Sequence, residues 1–99
     1  MSSIRTGLTS VTFRALSIPK IVQLAAAAGL GGIEWGGDIH VPAGDIQSAV
    51  FALQETEKAG LEVLSYGSYY HGLPEEDFSP VLESAKALQA PIIRVWAGT

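Results

Sequence analysis

The chain has no cysteine, which excludes a disulfide scaffold, a thiolate zinc site and a cysteine nucleophile. It is also short of charge: Asp, Glu, Lys and Arg make up 16% of its 99 residues, against about 25% in an average soluble protein. Basic residues are the scarcer kind, six Lys and Arg against ten Asp and Glu, for a net charge of −4. A nucleic-acid binder needs the opposite balance, to replace counterions on phosphates. No apolar run approaches the roughly 18 residues of a membrane span. The start, Met1-Ser2-Ser3-Ile4-Arg5-Thr6, lacks the apolar core of an export signal. The expectation is a cytoplasmic protein that engages neither nucleic acid nor membrane.

What is present is apolar. Hydrophobic residues supply 47% of the chain and the mean hydropathy is +0.28, which excludes disorder. Ninety-nine residues make one domain at most. A chain this short has much surface for its volume and should be more polar than average. The composition is that of the interior of something larger.

A repeat gives this a cause. Gly29-Leu30-Gly31-Gly32-Ile33-Glu34-Trp35-Gly36, Gly60-Leu61-Glu62-Val63-Leu64-Ser65-Tyr66-Gly67 and Pro91-Ile92-Ile93-Arg94-Val95-Trp96-Ala97-Gly98 are three β-prone runs whose closing glycines lie 31 residues apart. About 30 residues is the length of one strand-plus-helix unit, and a fixed period of such units points to a parallel α/β architecture. The helices between them are legible. Ser17 caps a first helix with Pro19 in its first turn and Ile21, Val22, Leu24, Ala25 and Ala28 facing inward, ended by Gly29. Asp45 caps a second, with a stripe of Ile46, Ala49, Val50 and Leu53, closed by Gly60. Glu75-Glu76-Asp77 precedes a third, carrying Val81, Leu82, Ala85 and Leu88, and its negative charge suits the positive end of the helix dipole. With a first strand over Thr6–Ser10, the order is strand-helix-strand-helix-strand-helix-strand.

Two folds accommodate that order: the first half of a TIM-type (β/α)₈ barrel, and a flavodoxin-like doubly wound sheet. Strand parity favours the barrel. Ile33, Leu64 and Val95 are equivalent under the repeat and face the helix layer; Glu34, Ser65 and Trp96 fall on the other face, with Val63 and Arg94. A face carrying Glu, Ser and Arg among apolar residues suits a barrel lumen near its catalytic mouth. A complete barrel takes about 250 residues, so residues 1–99 are expected to be an N-terminal half-barrel truncated after its fourth strand. Such a piece, with two open strand edges, should self-associate or belong to a longer chain.

The string Gly29-Leu30-Gly31-Gly32-Ile33-Glu34-Trp35-Gly36-Gly37-Asp38-Ile39-His40-Val41-Pro42, with Ser65-Tyr66-Gly67-Ser68-Tyr69-Tyr70 and Ile93-Arg94-Val95-Trp96-Ala97-Gly98, resembles the N-terminal half of the xylose isomerase-like barrel superfamily, in its sugar phosphate isomerase/epimerase group. The resemblance implies an enzyme that moves a proton through an enediolate, or a hydride, between adjacent carbons of a sugar or sugar acid, phosphorylated or not. It also implies a divalent metal (Mn, Mg, Co or Zn) in the full-length family. Most of its metal ligands and acid/base glutamates belong to the second half, so this chain is assigned no metal site and is expected to be incomplete for catalysis.

Among the residues present, Glu34 is the foremost candidate for substrate contact, by its lumen parity near the carboxyl end of the second strand. The competing reading is a structural Glu34–Arg94 pair, since a buried charge needs a partner. His40, Trp96 and Tyr69 are the further substrate-binding candidates. Trp96, with Tyr66, Tyr69 and Tyr70, could form an aromatic wall for a sugar ring, although Tyr66 has outward parity and reads better as core. His71, beside Gly72 and Pro74, reads as an exposed turn histidine, and Asp38 as a loop cap. Gly31-Gly32 and Gly36-Gly37 match no phosphate-binding loop. Two other classes compete with the isomerase/epimerase reading. One is a non-catalytic half-barrel that dimerises. The other is an abasic-site endonuclease, which would need histidines at the ends of the third and fourth strands, where Ser65-Tyr66-Gly67 and Trp96-Ala97-Gly98 stand.

Overall fold

A computed structural model describes residues 7–37, 40–68 and 77–95. Four strands, β1 (Gly7–Thr9), β2 (Gly32–Gly36), β3 (Glu62–Gly67) and β4 (Ile93–Arg94), alternate with helices α1 (Ile18–Ala27), α2 (Ile46–Lys58) and α3 (Ser79–Leu88). The strands are all parallel and lie in the order β1-β2-β3-β4. A flavodoxin-like sheet reverses direction at a switch point; this order has no reversal among the described strands, and it is the order of a barrel wall.

The helix ends follow from their sequence. The Ser17 hydroxyl accepts the Lys20 N–H at 3.4 Å, and the Asp45 carboxylate accepts the Ser48 N–H at 3.1 Å. At α3 the Ser79 N–H is taken by Asp77 at 2.9 Å. Gly29 and Gly60 close α1 and α2 at φ +74° and +79°, a left-handed conformation that glycine adopts without a Cβ penalty. The third helix reaches the same geometry with Gln89, at φ +58°.

The core lies between the sheet and the helices. Ile33, Trp35 and Tyr66 from the strands meet Ile21, Val22 and Ala25 of α1, Ala49 and Ala52 of α2, and Val81, Ala85 and Leu88 of α3. The helix stripes are narrower than their apolar residues suggest. Leu24, Ile46, Val50 and Leu82 are each 37–39% exposed, and Ala28 is exposed too, so these five correct the inward assignments above. Small residues take much of the buried faces instead, Ala49, Ala52 and Thr56 on α2 and Ser84 and Ala85 on α3, and the bulkier neighbours lie beside them at the surface.

Strand parity needs one further correction. Between β2 and β3 the register runs Ile33↔Val63 and then Glu34↔Ser65, so Leu64 is an extra residue in β3. This bulge rotates the strand locally. Val63 joins the helix-side cluster, whereas Leu64 turns to the lumen face, where a Cβ on Gly32 would lie 2.6 Å from its Cγ. Beyond the bulge the parity is restored, with Ser65 toward the lumen and Tyr66 fully buried toward the helices. The Tyr66 hydroxyl donates to the Val41 carbonyl at 2.6 Å, and burial raises its pKa more than the nearby Ser84 lowers it. Tyr66→Phe leaves that buried carbonyl without its donor and should cost about 1–2 kcal/mol, read as a lower urea midpoint at unchanged m-value. An unshifted midpoint would mean that water replaces the phenol.

Candidate functional site

β2, β3 and β4 bring three polar side chains together on the lumen face. The Glu34 carboxylate accepts the Ser65 hydroxyl at 2.6 Å and the Arg94 Nε–H at 2.8 Å, both on Oε1, and Arg94 Nη2 donates to Oε2. The guanidinium therefore grips the carboxylate with two N–H groups, the geometry in which an Arg–carboxylate pair is strongest. The Glu34 side chain is only 14% exposed and that of Arg94 is 64% exposed. Thr9 lies level with Glu34 on β1.

Backbone arrangement makes this possible. Gly67 stands between the partners, and a Cβ there would lie 2.8 Å from Glu34 Oε2, so the acid and the base meet across β3 because that position has no side chain. Ser68 fixes the far end: its N–H and its hydroxyl both donate to the Arg94 carbonyl, at 2.9 and 2.7 Å.

Burial is the largest single influence on the Glu34 carboxyl and by itself raises its pKa. Hydrogen bonds from Arg94 and Ser65, with the Arg94 charge, together outweigh it and hold the group below its ordinary 4.5. A carboxylate whose pKa is lowered by folding contributes stability above its unfolded value, and that contribution is lost as the pH falls through the lower folded value. Gly67→Ala should dislodge Oε2 and raise the Glu34 pKa toward 4.5, which a ¹³C titration of the carboxylate would detect. An unchanged titration would show that the pair does not depend on the gap at Gly67.

His40 is buried rather than presented on a rim. Its Nε2–H donates to the Leu16 carbonyl at 2.7 Å, the ring meets Trp35 edge-on at 6.2 Å between centroids, and Nδ1 is buried without a hydrogen-bond partner. It ties the loop after β2 to the segment before α1. A second such tie is the buried Ser10, whose hydroxyl accepts the Gly36 N–H at 2.8 Å; it belongs to a 3₁₀ turn over Ser10–Phe13, which shortens the first strand to three residues. Neither tie has a sequence signal, because a serine or histidine within an apolar stretch does not announce a partner 24–26 residues away. Asp38, Tyr69, Tyr70, His71 and Trp96 lie outside the described residues. A cleft lined by Leu53, Glu57, Leu61, Glu62, Val63, Gln89 and Pro91 opens at the amino ends of β3 and β4, the opposite end from Glu34.

No group of three His, Cys, Asp or Glu converges among the described residues. They do not make the divalent-metal site that the family resemblance implies. No helix among them is long and apolar enough to cross a membrane.

No family model and no curated protein matches the sequence. Among solved structures, the chain is similar to the probable 3-DHS dehydratase AsbF of Bacillus anthracis, involved in petrobactin synthesis, with a TM-score of 0.70 and 24% identity. The likeness covers 96% of this chain and 39% of that one, so the chain spans about two fifths of the length of its structural neighbour. At that identity it is the fold alone that is shared, and the unreversed parallel order agrees with it: by fold the chain is half of a TIM-type barrel.

Proposed function

We propose that this chain forms part of the substrate site of an enzyme that isomerises or epimerises a sugar or sugar acid, with Glu34 handling a proton and Arg94 and Ser65 setting its charge state and position. The observation that carries the reading is the Glu34–Ser65–Arg94 cluster on the lumen face, toward the carboxyl ends of the strands, where barrels of this type place their chemistry. An ionised carboxylate can take the proton from a carbon beside a carbonyl, becoming a carboxylic acid while the electron pair moves to the carbonyl oxygen as an enediolate. Returning the proton to the former carbonyl carbon, while the hydroxyl proton passes from the adjacent oxygen to the enediolate oxygen, isomerises the sugar; a proton added to the opposite face of the first carbon epimerises it. A guanidinium beside the carboxylate suits the negative charge that develops on oxygen.

The structural neighbour's description as a 3-DHS dehydratase supports a second reading, in which loss of the same proton is followed by departure of hydroxide from the next carbon and net release of water. The two readings share the substrate contact and differ in product.

The contact is tested on this chain by titrating ¹⁵N-labelled protein with gluconate and with fructose. The expected result is a saturable shift of the Ser65, Gly67 and Arg94 amides in the millimolar range, abolished by Glu34→Gln. Shifts absent from these amides, or unchanged in the variant, would overturn the assignment. In the longer enzyme, solvent deuterium wash-in without water loss would favour isomerisation, and a conjugated, ultraviolet-absorbing product would favour dehydration.

A further inference from the structure

We infer that Thr9 is a substrate-contact residue of the Glu34 site, its hydroxyl bonding the hydroxyl on the carbon whose proton Glu34 removes. The site therefore selects compounds with a hydroxyl beside the carbonyl over their deoxy counterparts. This selectivity rests on the reading of the Glu34 cluster as a substrate site, and names the residue that chooses what the site accepts.

Alternation along β1 places Thr9. Leu8 packs against the helix-side core, and Thr9 keeps an extended backbone at φ −95° and ψ 119°, so its side chain takes the lumen face. Gly7 is the other residue of β1 on that face: a Cβ there would run into Leu64, which also lies over Gly32. Leu64 thus makes an apolar floor. On the next level stand Thr9, Glu34 and Ser65, one from each of three neighbouring strands, and all three are polar. Neighbouring strands lie roughly 4.8 Å apart. Within that span, a carbon that gives its hydrogen to the carboxylate of one strand can hold its hydroxyl over the residue of the next.

The two hydroxyls that flank the carboxylate are not equivalent. Ser65 is 7% exposed and its proton is committed to Glu34 Oε1, so it serves the base. Thr9 is half-buried, and its hydroxyl does not cap the 3₁₀ turn that begins at the next residue. Among the described residues Thr9 Oγ1 has no hydrogen-bond partner. It can both donate and accept, and it borders the base on the side opposite Ser65. A valine would have the same shape and would suit a strand as well; the hydroxyl is what threonine adds. In the step proposed for this site, Glu34 takes the proton and the electron pair moves to the carbonyl oxygen. The hydroxyl held by Thr9 stays on its carbon. A site built to bond a substrate hydroxyl rejects the analogue that lacks it, because its own polar group is then left unpaired.

The ¹⁵N titration tests this with a matched pair of probes, gluconate and 2-deoxygluconate, which differ only in the hydroxyl on the carbon beside the carboxyl group. The wild type should bind gluconate about fivefold more tightly, the worth of one hydrogen bond. Thr9→Val should bind both probes at the 2-deoxygluconate level. Thr9→Ser, which keeps a hydroxyl, should restore the preference. Thr9 is not among the groups that act on the Glu34 carboxyl, so its ¹³C titration should be the same in the wild type and Thr9→Val, and circular dichroism reports folding independently. Equal gluconate affinity in the wild type and Thr9→Val, with the Ser65, Gly67 and Arg94 amides still shifting, would overturn the inference and leave the substrate site standing. So would a wild type that does not distinguish the probes, or a valine variant that weakens both alike. Failure of gluconate to shift those amides in the wild type would overturn the substrate site itself, and the role of Thr9 with it.

Discussion

Trp35→Ala should cost the fold about 3–5 kcal/mol, a large share of the roughly 5–15 kcal/mol that holds a domain of this size together. The indole is the largest fully buried side chain among the described residues, and its contacts are more than apolar. Its Nε1–H donates to Thr56 Oγ1 at 3.0 Å, and that hydroxyl donates in turn to the Ala52 carbonyl at 2.6 Å. β2 is thereby fastened to the C-terminal half of α2 by a two-bond relay inside the core. The ring also meets His40 edge-on, so its removal opens a cavity on one side and loosens the loop after β2 on the other. Thr56→Val separates the contributions: it keeps the packing but strands the indole N–H, and should cost about 1–3 kcal/mol. Urea unfolding of both variants checks the ordering. A Trp35→Ala loss below that of Thr56→Val would mean that the relay, not the ring volume, anchors the strand.

The architecture was legible because it repeats. A period of 31 in strand, helix and closing glycine is a long-range signal written in local terms, and so are the caps at Ser17 and Asp45. Parity failed where chain geometry stops being local. The bulge that exchanges the faces of Val63 and Leu64 arises from the pairing of β2 with β3, and nothing within Glu62–Gly67 marks it. It compensates for two glycines across the sheet: Leu64 covers Gly32 and Gly7, where a side chain would collide with it. The helix stripes failed for a related reason. Apolar character says that a residue tolerates burial, but where alanine and serine take part of the buried faces of α2 and α3, neighbours such as Val50 and Leu82 are left at the outer surface. The cluster was half legible. Glu34, Ser65 and Arg94 share a face by counting residues, whereas the gap at Gly67 and the clamp from Ser68 on the Arg94 carbonyl depend on the stagger of the sheet.

Arg94→Glu should reverse the acid response of the protein. In the wild type the Glu34 pKa is lowered by folding, so this group's contribution to stability is complete above the unfolded value of about 4.5 and disappears as the pH falls through the lower folded value. With glutamate at position 94, two carboxylates share a site in which the Glu34 side chain is 14% exposed. Burial then acts on Glu34 without an opposing guanidinium, and like charge adds to it. The folded pKa rises above the unfolded one. A group of that kind contributes stability below its unfolded pKa and loses it as the pH rises through the folded value. The variant should therefore gain stability on mild acidification toward about 4.5, a range in which this group leaves the wild-type profile flat, while the wild type loses its contribution only below that value. Losing one partner of a buried pair costs about 3–5 kcal/mol; with the wild-type Arg94 side chain 64% exposed, solvent screening reduces the expected loss at neutral pH to about 2 kcal/mol. Urea midpoints between pH 3 and pH 8 at one fixed chain concentration are the measurement, the concentration being held because association adds to stability. Adding Glu34→Arg to the variant restores an acid–base pair in swapped order and should return the wild-type slope. Parallel pH profiles for wild type and Arg94→Glu would show that the guanidinium does not set the charge state of Glu34, and the site would lose the feature on which its proton chemistry rests.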